Sequence, residues 1–235
     1  MIVSSFVVAF SATVLCVWSC TVLVMMEQQL GKPHLREHFP VVHKNLSQVR
    51  IASKCVAAAC FVIVGAAALG RDDWFGRWMV IGLVFGAIGD VALLGRSTRA
   101  FLAGLGAFLV GHVAYVIGIA QLVPPARWTE AGLFGLLPIA VGLGALAYLW
   151  PRLGALRLPV IVYVGAIIAM VIAALAARHA LPAPRGLLLA IGAALFFVSD
   201  LAVARDRFVA RDVTNKLWGL PAYFAGQLLI AWAIR

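Results

Sequence analysis

Eight runs of about twenty predominantly apolar residues follow one another along the chain, at roughly 2–25, 48–70, 78–95, 100–122, 131–150, 156–177, 185–203 and 216–234. A helix of about 20 residues, rising 1.5 Å per residue, crosses the roughly 30 Å hydrocarbon layer of a bilayer. Backbone polar groups in that layer must be satisfied within the spanning segment, so the runs predict helices rather than an open sheet. The expected fold class is all-α: a polytopic membrane helical bundle of eight transmembrane helices, forming one integral membrane domain over residues 1–235. Composition agrees: 64% of the residues are hydrophobic and 12% charged, against the roughly 25% charged of a soluble domain. That balance excludes a soluble globular fold and intrinsic disorder. Only the connections from Glu27 to Ser47 and from Ala204 to Asn215 are long, so no soluble domain is expected between helices. The first run lacks a basic leading region and a small-residue cleavage site, and is expected to be a retained span.

The chain carries 19 Lys and Arg against 9 Asp and Glu. In a soluble protein that excess suggests nucleic acid, but in a membrane protein basic residues collect in cytoplasmic loops, and no nucleic-acid partner is expected. Loops that follow odd-numbered spans hold twelve Lys and Arg, including Arg50, Arg96, Arg99, Arg207 and Lys216; the opposite side holds six. The odd loops are therefore expected in the cytoplasm and both termini outside it, in the plasma (inner) membrane if the protein is bacterial. The nineteenth basic residue, Lys54, lies inside the second span. Cys16, Cys20, Cys55 and Cys60 fall within the first two spans without C-x-x-C spacing and read as small packing residues. Gly82-x-x-x-Gly86 and Ala103-x-x-x-Ala107 predict close helix contacts.

A charged side chain at a helix centre costs about 2.5–3.5 kcal/mol on insertion scales, so the embedded acids are informative. Of the nine acids, Glu27, Glu37, Asp72, Asp73, Glu130, Asp206 and Asp212 lie in loops or at helix ends. Asp90 and Asp200 do not. Each sits near the end of a span running toward the odd-loop side, which predicts similar depths, and Lys54 enters from that side too. His112 and Tyr115 share a face of span four, as Tyr223 and Gln227 share a face of span eight. Two readings are open. The aspartates pair with Lys54 or backbone and merely hold helices together, with His112, Tyr115, Tyr223 and Gln227 as polar glue and Ser199 as packing; or the group forms a site. Gly111-His-Val-Ala-Tyr115 follows Asp90 much as Gly219-Leu-Pro-Ala-Tyr223 follows Asp200. That match suggests two parallel four-helix repeats with a site at their interface.

Gly89-Asp90-x-x-Leu93, Phe108-x-x-Gly111-His112-x-x-Tyr115, Phe197-x-Ser199-Asp200 and Tyr223-x-x-x-Gln227-x-Leu229-Ile230 together resemble the YhhN family of membrane lysoplasmalogenases. In that family the second span begins with Lys-Pro; here it is Lys54-Cys55, so the Lys carries over without the kink. The resemblance implies hydrolysis of the vinyl-ether bond of a lysoplasmalogen to a fatty aldehyde and a glycerophospho-alcohol. Its partners would be a lysolipid, water and membrane lipids, with no cofactor, metal or obligate protein partner. A vinyl ether opens by protonation of its outer alkene carbon, and water captures the resulting oxocarbenium ion. Two neighbouring carboxyls in a low-dielectric site can divide the roles of acid and base, as in glycosidases. Asp90 and Asp200 are the expected pair. His112, Tyr115 and Tyr223 would position water or the ether oxygen, with Gln227 beside the substrate and Lys54 on its phosphate.

Two other classes stay open. Intramembrane aspartyl proteases also use two membrane aspartates, but carry a tight Gly-x-Gly-Asp, whereas this chain has Gly86-Ala-Ile-Gly89-Asp90. A lipid or small-molecule transporter would also suit a repeat with embedded charges. A metal hydrolase is disfavoured, because His112 is the one histidine inside a span and His34, His38 and His43 fall in the first loop.

Overall fold

The computed structural model describes residues 2–71, 73–95 and 97–235. Expectations for Met1 as the domain start, and for Asp72 and Arg96 as loop residues, lie outside the described residues. Among the described residues there are helices and no strands. They run α1 (Ile2–Leu30), α2 (Pro33–His38), α3 (Pro40–Ala68), α4 (Trp74–Ala92), α5 (Thr98–Ala120), α6 (Leu136–Leu153), α7 (Arg157–Ala176), α8 (Arg185–Phe208) and α9 (Val213–Trp232). Eight of these are the expected spans; α2 is a short helix between the first two. Six helical stretches are long and apolar enough to cross a membrane, one of them, Pro125–His179, containing both α6 and α7. The more polar α9 packs within the bundle against α1, α3 and α8.

Two boundaries differ from expectation in the same way. The second long helix starts at Pro40 rather than near 48, and the seventh continues to Phe208 rather than ending near 203. Proline at the first helical position lacks only an N–H that would have no intrahelical partner, so Pro40 starts a helix in a segment too polar to read as a span. The long connections expected from Glu27 to Ser47 and from Ala204 to Asn215 are consequently largely helical, and α3 and α8 project beyond the length a bilayer needs. In the fifth run, the residues before Leu136 form 3₁₀ turns broken by a kink at Gly132, at φ +60°, instead of α-helix. Asp73 accepts from the Gly76 N–H at 2.7 Å and Ser97 from the Ala100 N–H at 3.0 Å, capping α4 and α5. Gly154, at φ +52°, makes the left-handed turn that joins α6 to α7.

The α4–α5 contact is set by glycines. Gly104, Gly111 and Gly118, two turns apart on α5, leave no room for a Cβ against α4: its nearest atoms there would be Leu93 Cδ2 at 2.7 Å, the Gly82 carbonyl oxygen at 3.1 Å and Met79 Cε at 2.7 Å. Ala103, expected to pack with Ala107, is exposed instead. A Cβ at Gly226 on α9 would likewise lie 2.8 Å from the Gly192 carbonyl oxygen and 3.0 Å from the Phe196 nitrogen on α8. Gly82 and Gly86 against Gly111 thus correspond to Gly192 and Phe196 against Gly226, each in the same register as Asp90 and Asp200. Helix pairs match as well: α3·α4 with α7·α8, α4·α5 with α8·α9, and α3·α9 with α7·α5. The glycine contacts pair Gly111 with Gly226, two turns along from the Gly219 suggested by the sequence motif. Packing, rather than the Gly-x-x-Ala-Tyr string, sets the equivalence.

Candidate active site

A cavity of about 610 Å³ lies among the ends of the helices on the face that carries the α1–α3, α4–α5 and α8–α9 connections. Lys54 from α3, Asp90 from α4, Asp200 from α8 and Tyr223 from α9 all line it. The projecting ends of α3 and α8 extend its wall with His43, Ser47 and Arg207. Asp90 occupies the last turn of α4, where the helix's own carbonyl dipoles oppose a negative charge. Lys54 answers that, with Nζ 3.1 Å from Asp90 Oδ1 and both side chains nearly shut off from solvent. The other carboxylate oxygen, Oδ2, has no hydrogen-bond partner among the described residues. The Tyr223 hydroxyl also interacts with Asp90. It accepts a hydrogen bond from Gln227 Nε2 at 3.3 Å, and Gln227 Oε1 accepts one from the Tyr115 hydroxyl at 2.7 Å.

Asp200 has different neighbours. Its Oδ2 accepts a hydrogen bond of 2.8 Å from the Tyr163 hydroxyl on α7. His112 Nε2 lies 3.8 Å from the same oxygen, too far for a hydrogen bond. The imidazole is fully buried against the Phe196 and Tyr163 rings, and neither ring nitrogen has a hydrogen-bond partner among the described residues. Asp200 and Tyr163 also line a narrow apolar slot of about 70 Å³ between α5, α6, α7 and α8, walled by side chains such as Leu105, Leu149, Val164 and Ile167. Asp200, Leu93, Phe101, Phe108 and Val203 border both spaces. Among the described residues Asp200 is the one carboxylate that faces cavity and slot together.

Of the residues expected at a site, the structure brings Lys54, Asp90, Asp200 and Tyr223 to the cavity. His112, Tyr115 and Gln227 stand behind that wall; the cavity's lining does not include them. Lys54 is engaged by Asp90 instead of standing free for a substrate phosphate. Ser199 donates to the Phe196 carbonyl at 2.7 Å, as a packing residue does. Two participants were not expected. Tyr163 lies six residues into α7, at the depth of Asp200, and that placement was the available signal. Glu27, assigned to a loop or helix end, lies in the last turn of α1, buried between Arg50 at 3.2 Å and Lys216 at 2.9 Å. Beyond the spans, Asp212 caps α9: the Thr214 N–H, with Arg205 nearby, holds its carboxyl below the usual carboxylate range. No group of His, Cys, Asp and Glu among the described residues is arranged to hold a metal.

The model of the YhhN family matches residues 49–234, which include every one of these wall residues except those of α1 and the first turns of α3. The chain belongs to the YhhN family. This YhhN chain is 35% identical over 186 residues to a protein of Mycobacterium bovis named lysoplasmalogenase, a match covering 74% of the chain and 66% of that relative. It is 33% identical over 164 residues to lysoplasmalogenase TMEM86A of Bos taurus, covering 64% and 62%. A membrane protein YhhN of Escherichia coli is 28% identical over 153 residues, covering 65% and 71%. The YhhN chain thus spans just under two thirds of the first two relatives. No solved structure matches it.

Proposed function

We propose that this integral membrane protein is an ether-bond hydrolase, a lysoplasmalogenase that releases a fatty aldehyde and a glycerophospho-alcohol. One observation carries the reading: two embedded carboxyls, Asp90 buried and Asp200 partly buried, face one cavity, and Asp200 also faces an apolar slot. A lysoplasmalogen has its outer alkene carbon on the chain side of the vinyl ether and the carbon that becomes electrophilic on the glycerol side. With the alkenyl chain in the slot, Asp200 stands by the carbon to be protonated and Asp90 by the polar space from which water adds. The relatives named lysoplasmalogenase support the substrate class.

Asp200 gives its proton to the outer alkene carbon, producing the oxocarbenium ion. Water adds to the carbon bonded to oxygen while Asp90 takes a proton from that water, and a neutral hemiacetal results. The hemiacetal hydroxyl returns a proton to Asp200 as the aldehyde carbonyl forms, and the glycerol oxygen departs with the proton held by Asp90. One water is consumed and both carboxyls recover their starting forms. Tyr163 orients Asp200 and Lys54 orients Asp90, each by a direct contact. His112 backs Asp200, and Tyr115 and Gln227 fix the Tyr223 hydroxyl, so these three act as positioning residues. The excess of Lys and Arg on the odd-loop side supports a site opening toward the cytoplasmic leaflet, with both termini on the other side and, in a bacterium, residence in the plasma membrane.

Purified protein incubated with matched lysoplasmenyl and lysoacyl lipids tests the reading by mass spectrometry. Fatty aldehyde from the first and no fatty acid from the second is the expected result. Release of fatty acid, cleavage of a peptide, or transport without any product overturns it.

A further inference from the structure

We propose that Arg50 and Lys216, held together by Glu27, form the seat for the phosphodiester of the lysolipid head group. This rests on the lysolipid reading above and moves the phosphate away from Lys54, which Asp90 occupies. Three observations carry it. Glu27 is 7% exposed yet ionically bridges two cations from different helices, Arg50 at 3.2 Å on Oε1 and Lys216 at 2.9 Å on Oε2. One carboxylate between two cations leaves the cluster with a surplus positive charge, and a phosphodiester carries the single negative charge that matches it. All three side chains line the same cavity as Asp90 and Asp200.

The reach fits as well. Arg50 precedes Lys54 by one helical turn on α3, which sets it about 6 Å nearer the cavity mouth. From a vinyl-ether oxygen through the three glycerol carbons to phosphorus is also about 6 Å, taking bonds of roughly 1.5 Å in a staggered chain. A lysolipid reacting beside Asp90 and Asp200 therefore brings its phosphate level with Arg50. The guanidinium offers a planar fork of donors suited to two phosphate oxygens, and Lys216, 40% exposed, supplies a second charge open to the cavity. Glu27 is a positioning residue: it fixes two long cationic side chains across the α1, α3 and α9 ends before the lipid arrives.

The test reads binding, not turnover, on the full chain in detergent. The probes are a saturated 1-O-alkyl lysophosphoethanolamine, which has no vinyl ether to cleave, the matching 1-O-alkylglycerol, which has no phosphate, and inorganic phosphate. Arg50→Gln and Lys216→Gln are each expected to weaken the phospholipid by about tenfold, the scale of one charge-assisted contact, while leaving the alkylglycerol within about twofold. Arg50→Lys should recover part of the loss. Arg152→Gln, on the same face but outside the cavity, should change neither ligand. Equal losses for both lipids would mean a structural role, and unchanged phospholipid binding would mean that the phosphate sits elsewhere; either overturns the proposal. Inorganic phosphate competing as well as the phospholipid would also overturn it, by making the seat a free-anion site. Because the alkyl lipid cannot be hydrolysed, an absence of aldehyde in the turnover assay leaves this result to stand or fall separately.

Discussion

The α3–α4 and α7–α8 pairs place a carboxylate at matched positions and then surround it differently. Asp90 meets an ammonium, Lys54, while Asp200 meets a phenol, Tyr163, and each partner comes from the helix before, 36 and 37 residues upstream. The scaffold beneath is alike, down to a glycine contact in the same register on each side. The difference is in charge balance and in access. Asp90 and Lys54 form a neutral pair facing only the polar cavity, whereas Asp200 has a neutral partner and also faces the apolar slot. Equivalent backbone positions with unequal partners are a direct way to let one fold supply two carboxyls with separate tasks.

The sharpest way to break that comparison is to neutralise each carboxylate. Asp90→Asn and Asp200→Asn should each lower lysoplasmenyl turnover by about 10²–10⁴-fold, the range for loss of a general acid or base. Proton inventory or solvent isotope effects would then differ between the two, because carbon protonation belongs to Asp200. Near-normal turnover in either well-folded variant would remove it from the chemistry. Next in size is stability. Lys54→Met leaves a buried carboxylate in the last turn of α4 without its cation, and should cost about 3–5 kcal/mol. Adding Asp90→Asn should restore most of the loss, measurable as the melting temperature of the double variant. If the double variant melts no higher than Lys54→Met alone, the pair is not the source of the cost.

How much of this was legible depends on what kind of force sets each feature. Eight helices were legible because each apolar run must satisfy its own backbone in hydrocarbon. Asp90, Asp200 and Lys54 were legible because charge inside such runs is costly and therefore stands out. Their similar depth followed from helix direction; that they meet at one cavity is set by how the helices pack. The projecting turns of α3 and α8 were not legible, since residues 40–47 and 204–208 are polar enough to read as loops, and only packing and the Pro40 start make them helical. Glu27 escaped for a related reason: it lies at the end of an apolar run, and only the fold brings Arg50 and Lys216 around it. Tyr163 carries no charge and so left little mark in the sequence. His112, Tyr115 and Gln227 were found as polar residues in spans, but periodicity gives a face and not the distance to the cavity.

A smaller effect separates the two glycine contacts. A methyl group at Gly226 would lie 2.8 Å from the Gly192 carbonyl oxygen and 3.0 Å from a backbone nitrogen, neither of which can move without shifting α8. At Gly111 the nearest atom, the Gly82 carbonyl oxygen, is at 3.1 Å and the next backbone atom at 3.8 Å. Gly226→Ala should therefore fall near the upper end and Gly111→Ala near the lower end of the roughly 1–3 kcal/mol that overpacking costs. Equal melting temperatures would mean that the two halves yield equally, contrary to the tighter contact in the second.

The smallest expected effect bears most directly on the contrast between partners. Tyr163→Phe removes one hydroxyl and changes almost no volume, so it deprives Asp200 of its 2.8 Å hydrogen bond without opening a cavity. Asp200 keeps access to the water of the polar cavity, which can take over that donor's place. The stability cost should then be about 1 kcal/mol, the net worth of an ordinary hydrogen bond, well under that of Lys54→Met. Turnover should fall through kcat more than through KM, because the phenol orients the acid and does not hold the lipid. Should Tyr163→Phe prove as destabilising as Lys54→Met, Asp200 would be held by its partner as firmly as Asp90 is, and the division of roles would need another cause than charge pairing.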